Sequence, residues 1–542
     1  MKINYKIIGL VMFVMLICCV SAASATDVDN ITVPDDTGIA DVDVPVDSVD
    51  EVENEAISDD DSSENAVGQE NLRGQANINN DVNIGNYFDS TTGVLLSNAG
   101  NNFVFDGDFY NTNYNYTTFV VNRAVTIDAT TANFYNMGFD LSGSNITLIG
   151  GTFYANASVA TNSVIDVTGD YAYVTGAVID VYAPEDQDFI AIDIANSNGT
   201  LIYGNVITYE CNYSNLNNTN YVIRAKNSPN INISVNEITS VLPFKNVDYS
   251  GARSGMDMDL AAAIGIENSD NFTLYFNFLD GFIEKTCTGY PTLDMVIICD
   301  SNEGYVGYNS IDEIDFITEP DTQSYLYAID LYRCNNLTVE CNELYLESDG
   351  GTFIPGTING TSAAYGIQLT GPYTGVVIKN NTIDTKNNGP NAGIYSQNFA
   401  GYTNLTIIDN TITVVGNASF HGWSLVTGME LQDDYVYIEG NTITVTNVGN
   451  FVPGHNAYGI SFSQYYSRLP TSFVVVNNTV DLINGHYTVY IQDAISGSVI
   501  HNCLSSMDEC GNYSVYDNGH IIIADNYCPQ CNGVNCTCYP RP

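Results

Sequence analysis

Leu405-Thr-Ile-Ile-Asp-Asn410-Thr-Ile-Thr-Val414 and, 31 residues on, Val436-Tyr-Ile-Glu-Gly-Asn441-Thr-Ile-Thr-Val445 are two copies of one pattern. Ile, Leu or Val stands three before the Asn, and an apolar residue stands two after it. The position five before the Asn is apolar in most copies. The pattern centres on Asn205, Asn236, Asn277, Asn309, Asn342, Asn381, Asn410, Asn441, Asn478, Asn502 and Asn526. Residues two apart on a strand share a face, so the apolar positions line one interior. The Asn is expected to bend the chain, because Asn tolerates left-handed backbone. A third strand lies upstream in each copy, as in Ala191-Ile-Asp-Ile194, Tyr365-Gly-Ile-Gln-Leu369 and Tyr458-Gly-Ile-Ser-Phe462. Three short strands and three turns in as few as 24 residues make one rung of a solenoid.

The chain is therefore expected to be all-β: a right-handed parallel β-helix of about 14–16 rungs, on the order of 70 Å long. Stacking sets each Asn over the last, so the Asn series reads as a structural ladder of side-chain amides, not as a row of ligands. Spacings longer than 24 residues imply insertions, such as 281–294, 346–364, 416–427 and 447–457, that protrude from one side of the rod. Helical periodicity is nearly absent.

Four segments follow from composition. Residues 1–25 read as a secretory signal: Lys2 and Lys6, the apolar run Ile7–Val20, and Ala23-Ser24-Ala25 at the cleavage site. Residues 26–76 are rich in Asp and Glu and are expected to be a disordered leader. Residues 77–527 hold the β-helix, and 528–542 a Cys-rich tail. No second long apolar run follows the signal, so the mature chain is expected to carry no membrane span and to be extracellular or on the cell surface.

With 14 Lys and Arg against 63 Asp and Glu, the net charge is −49. Phosphate repels such a chain, which argues against nucleic acid as a partner, and acidic polysaccharide is disfavoured for the same reason. Sequons recur, among them Asn145, Asn156, Asn198, Asn232, Asn271, Asn336, Asn404 and Asn417, so an exported chain is expected to carry glycans. The tail Cys528-Pro-Gln-Cys531-Asn-Gly-Val-Asn-Cys536-Thr-Cys538 reads first as a disulfide-stapled cap, with Cys503 and Cys510 tying the last rungs to it. The alternative is a zinc knuckle of Cys528, Cys531, Cys536 and Cys538. No cofactor is expected; the ions the sequence admits are Zn2+ there and loosely held surface Ca2+.

A glycosidase needs two carboxylates facing one space. Glu430 with Asp433 and Asp434 is the strongest candidate set, and Asp257 with Asp259 the next; both also read as ordinary turn acids. A His–Cys503 pairing for a thiol peptidase is weighed against a core role for that Cys. Trp423 and Tyr435 are the candidate carbohydrate-contact aromatics.

The signal, the acidic leader, the Tyr- and Asn-rich rungs, the Gly-Asn-x-Ile or Asn-Asn-Thr-Ile turns (204–207, 380–383, 440–443) and the entry Phe119-Val-Val-Asn-Arg-Ala-Val-Thr-Ile-Asp128 resemble the adhesin-like proteins of methanogenic archaea. The resemblance spans roughly residues 80–528 and implies a right-handed β-helix outside the cell. The chain departs from longer members in lacking β-sandwich repeats and a recognisable wall-binding module. The leading expectation is a secreted or cell-surface rod that binds carbohydrate or another cell's surface. A polysaccharide hydrolase or lyase and a structural cell-envelope protein are the alternatives.

Overall fold

The computed structural model describes residues 76–79, 83–156, 162–183, 189–211, 220–241, 245–246, 262–283, 291–315, 325–348, 363–387, 389, 391–397, 402–417, 426–449, 457–462, 471–485, 487–492, 494–506, 511–517 and 520–528. The signal, the leader and most of the tail lie outside them. So do the segments 212–219, 284–290, 316–324, 349–362, 418–425 and 450–456, where the expected insertions fall.

The described chain is a right-handed parallel β-helix with three faces. On the first face, Leu201–Tyr203, Asn232–Ser234, Thr273–Tyr275 and Tyr305–Gly307 pair in parallel register, with Ile202, Ile233, Leu274 and Val306 in one column. The second face pairs Val206–Glu210, Glu237–Val241, Phe278–Ile283 and Ser310–Asp315, with Ile207, Ile238, Leu279 and Ile311 as its column. These two faces merge into a 28-stranded sheet through Asn102–Tyr110 and Thr126–Tyr135, which run across both. The third face is the 15-stranded sheet: fourteen parallel strands from Thr118–Val121 to Val515–Tyr516, plus Lys245–Asn246 pairing antiparallel to Pro291–Cys299. Fourteen rungs at ~4.8 Å give a coil of roughly 65 Å. No described helix is long and apolar enough to cross a membrane.

The two-residue period explains the core. Inward columns such as Ile192, Ile223, Ile264 and Val296 on the third face are fully buried in one continuous cluster. The first rungs add a cluster of Phe to aliphatics such as Ile127 and Leu148, and Phe134 stacks on Phe109 and Phe153 at 5.3 and 4.8 Å.

The Asn series forms a buried ladder. Asn205 Nδ2 donates to Asn236 Oδ1 at 3.0 Å, and the Asn205 backbone N–H donates to the same oxygen at 3.1 Å. The pair of bonds repeats at each step down to Asn502 and Asn526. The structure corrects one detail. The left-handed residue is not the Asn but the one before it: Gly204, Val235, Phe276, Tyr308, Cys341, Asn380, Asp409, Gly440, Asn477, His501 and Asp525 all have φ between +54 and +68°. That residue makes the bend, and the Asn turns its amide inward to satisfy the backbone groups the bend exposes.

A glycine column packs the third face against the second. A Cβ on Gly428 would stand 2.3 Å from Ile443 Cγ2 and 2.6 Å from the Gly459 carbonyl, and Gly366, Gly393 and Gly459 are equally crowded. The column lets the backbone approach the second-face aliphatics directly.

Candidate functional site

Glu430 lies on Val426–Leu431, in register with Tyr395 and Ser461. Its neighbours Met429 and Leu431 enter the core, so Glu430 faces out, although it is largely buried. Tyrosine stacks flank it along the rod. Tyr365 stacks on Tyr327 at 5.5 Å and on Tyr395 at 4.8 Å; beyond Ser461, Tyr490 stacks on Tyr458 at 4.4 Å and on Tyr516 at 5.0 Å. Burial pushes the Tyr458 hydroxyl above its ordinary range, and Tyr490, Tyr487, Tyr516 and Glu430 add to it.

Asp433 points the other way. It is buried inside the coil and accepts hydrogen bonds from Tyr373 Oη and Ser396 Oγ. Burial raises its carboxyl to about 6, against the opposing hydrogen bonds of Ser396, Tyr373 and Thr403. Asp434 staples the turn between the third and first faces. Its N–H donates to Thr403 Oγ1 at 2.7 Å, its Oδ2 accepts Thr403 N–H at 3.3 Å, and its carbonyl accepts Thr471 N–H at 2.9 Å. The three carboxylates thus occupy the outside, the inside and a turn, and do not share a space where a glycosidic bond could sit. The expected catalytic set is corrected on this geometry.

Tyr435 is exposed on the first face and lies 5.0 Å from Tyr402; Trp423 falls outside the described residues, as do Asp257, Asp259, Cys510, Cys531, Cys536 and Cys538. Cys528 is buried at the last described rung. Cys503 is a free, buried thiol instead of a cap staple. Burial raises its pKa, opposed by a hydrogen bond with Tyr527, which is the wrong direction for a nucleophilic thiolate. Among the described residues, no group of three or more His, Cys, Asp or Glu is placed to hold a metal ion.

The structure also assembles groups that sequence spacing hid. Asp140, Asp166, Asp193 and Arg224 stack in register on the outer third face. Arg224 grips Asp193 with two bonds of 2.9 and 2.7 Å. Burial, then the charges of Asp193 and Asp140, raise Asp166 to about 6, with Arg224 opposing. A second ladder runs through Ser197, Ser228, Ser269 and Ser301, each hydroxyl accepting the previous serine's N–H at 2.9–3.2 Å. Its signal was available: Asn-Ser at 196–197, 227–228 and 268–269.

No protein-family model matches the sequence, and no curated protein matches it. Among solved structures the chain is similar to PfbA, a surface adhesin of Streptococcus pneumoniae, at 11% identity over 75% of this chain and 85% of that one, with a TM-score of 0.30. It is also similar to a tailspike protein of E. coli bacteriophage HK620 in complex with a pentasaccharide, at 11% identity over 78% and 74%, TM-score 0.31. An alginate lyase from Paenibacillus is similar at 11% identity over 68% and 98%, TM-score 0.23. These likenesses concern the fold alone.

Proposed function

We propose that the chain is a secreted or cell-surface adhesin-like rod, of the kind found in methanogenic archaea, that binds carbohydrate on another surface. The observation that carries this reading is the chemistry of the exposed wall. Tyrosines dominate the large side chains left open to solvent, among them Tyr110, Tyr154, Tyr182, Tyr203, Tyr308 and Tyr435. A tyrosine offers an apolar ring to the C–H face of a sugar and a hydroxyl to its oxygens. The surface has few cations to pair with acidic sugars, and the net charge of −49 repels them. The N-terminal signal supports export. Surface Ca2+ and a zinc knuckle in the tail remain outside this reading.

A second reading, a polysaccharide hydrolase, moves from Glu430, Asp433 and Asp434 to the Asp140–Asp166–Asp193 column. Asp166 raised to about 6 supports it, since a general acid needs that shift and register neighbours lie roughly 5 Å apart. A glycan array of the purified rod, run beside a reducing-sugar assay on the bound glycans, tests both. Array binding without sugar release is the expected result. Release that disappears in Asp166→Ala establishes the hydrolase, and an empty array leaves a structural envelope role and refutes the proposal.

A further inference from the structure

Three consecutive rungs hold bulky residues in the left-handed bend: Val235 (φ 59°), Phe276 (φ 54°) and Tyr308 (φ 55°). Six other rungs of the ladder place Gly, Asn or Asp there, which adopt that backbone readily. A β-branched and two aromatic residues resist it, so these rungs give up stability for what the side chains display. The display is apolar and open. Phe278 is 54% exposed, and Tyr203, Val235 and Tyr308 are 41, 39 and 42% exposed. The rings also pack together: Tyr275 on Phe276 at 4.2 Å, and Phe276 on Tyr308 at 5.1 Å. Gly307 makes the bed for Tyr305, since a Cβ there would lie 2.4 Å from that ring.

We propose that this ridge, where the first and second faces meet from Tyr203 to Tyr308, is the docking surface for a neutral linear polysaccharide lying along the rod axis. The proposal rests on the carbohydrate-binding reading and assigns its site. Successive rungs set the side chains ~4.8 Å apart along the axis, so an extended chain of sugar rings meets a new apolar side chain at each rung. Charge selects the ligand. Glu237 sits in register between Val206 and Phe278, and Glu340 beside the far end is already paired with Lys379 at 3.2 Å. The described ridge therefore offers carboxylates to sugar hydroxyls and no unpaired cation to an acidic sugar. The same charge, with −49 on each chain, repels a second copy.

The test uses the exported full chain in affinity gel electrophoresis. The gels contain hydroxyethylcellulose or mannan, as neutral polymers, or alginate. The variant Val235→Asn/Phe276→Asn/Tyr308→Gly installs residues found in this column, at Asn380, Asn477 and Gly440, and creates no new sequon. The wild type is expected to be retarded by a neutral polymer and not by alginate. The variant should lose at least tenfold in apparent affinity while its Tm rises by about 2–5 °C, so misfolding cannot explain the loss. Equal retardation of variant and wild type overturns the ridge and leaves the carbohydrate reading standing. A wild type retarded by no polymer and silent on a glycan array overturns both. Retardation by alginate, or a wild-type dimer that the variant loses, assigns the ridge to another occupant and overturns the proposal.

Discussion

Replacing Asn410 with Ala removes one rung of the buried ladder and leaves its neighbours in place. Asn410 Oδ1 accepts the Asn381 backbone N–H and the Asn381 amide, each at 2.9 Å. Its Nδ2 donates to Ile378 O, Ile408 O and Asn441 Oδ1 at 2.9, 3.0 and 2.9 Å. After truncation the Asn381 N–H faces no acceptor in a buried turn, which costs about 1–3 kcal/mol. The Ile408 carbonyl keeps its bond from Asn380 N–H, and Asn441 Oδ1 keeps the Asn410 N–H, so these losses stay near the net value of about 0.5–1 kcal/mol each. The total is about 2–5 kcal/mol, felt by the rungs on either side because a solenoid couples nearest neighbours. Native-state hydrogen exchange by mass spectrometry reads it locally. Amides in 378–383 and 407–412 should exchange about 30- to 5,000-fold faster than in wild type. Thr411→Ala, at an exposed position beside the ladder, should change exchange less than about threefold. An Asn410→Ala profile indistinguishable from that control would refute the ladder as a source of stability.

Other outcomes follow from the same geometry. Gly428→Val forces a side chain into the space held by Ile443 and the Gly459 carbonyl and should lower stability by about 3 kcal/mol or more, read as a lower urea midpoint or as failed secretion. Asp433 has a folded pKa raised from 3.8 to about 6, so the folded state binds its proton more tightly than the unfolded chain. Its contribution is greatest below pH 4 and is lost between about pH 4 and 6, amounting to about 3 kcal/mol. Asp433→Asn should therefore gain Tm relative to wild type as pH rises from 4 to 7, and a constant difference across that range would contradict the assignment. Alkylation of the native protein should reach the half-buried Cys341 well before Cys334, whose thiol burial drives up to about 12, as peptide mapping would show.

Much of the fold is readable in the chain because three signals coincide at each of the eleven rungs from Asn205 to Asn526: the aliphatic at minus three, the Asn, and the apolar residue at plus two. The column Ile202, Ile233, Leu274 and Val306 follows from them directly. The bend is harder to place, because Gly, Asn or Asp holds the left-handed position at only six of the eleven rungs, and Val235, Phe276, Tyr308, Cys341 and His501 give no sign of it. Glu430 and Asp433 looked like a pair because they are close in sequence. The two-residue period, carried three positions past Glu430, sets Asp433 on the opposite side of the wall, and its bonds to Tyr373 and Ser396 agree. Asp140, Asp166 and Asp193 stay hidden for the converse reason: only the rung register, fixed by unequal turn lengths, brings them together. The exposed ridge needs both kinds of information, since apolar residues on a strand read as core until the bend turns them outward.

The most direct test of the carbohydrate-binding rod is one experiment on the purified wild-type chain: a binding isotherm on an immobilised neutral polysaccharide, with reducing ends counted in the same wells. Saturable binding with no growth of reducing ends over hours is the predicted result. No binding, or sugar release that rises with protein concentration, would contradict the account.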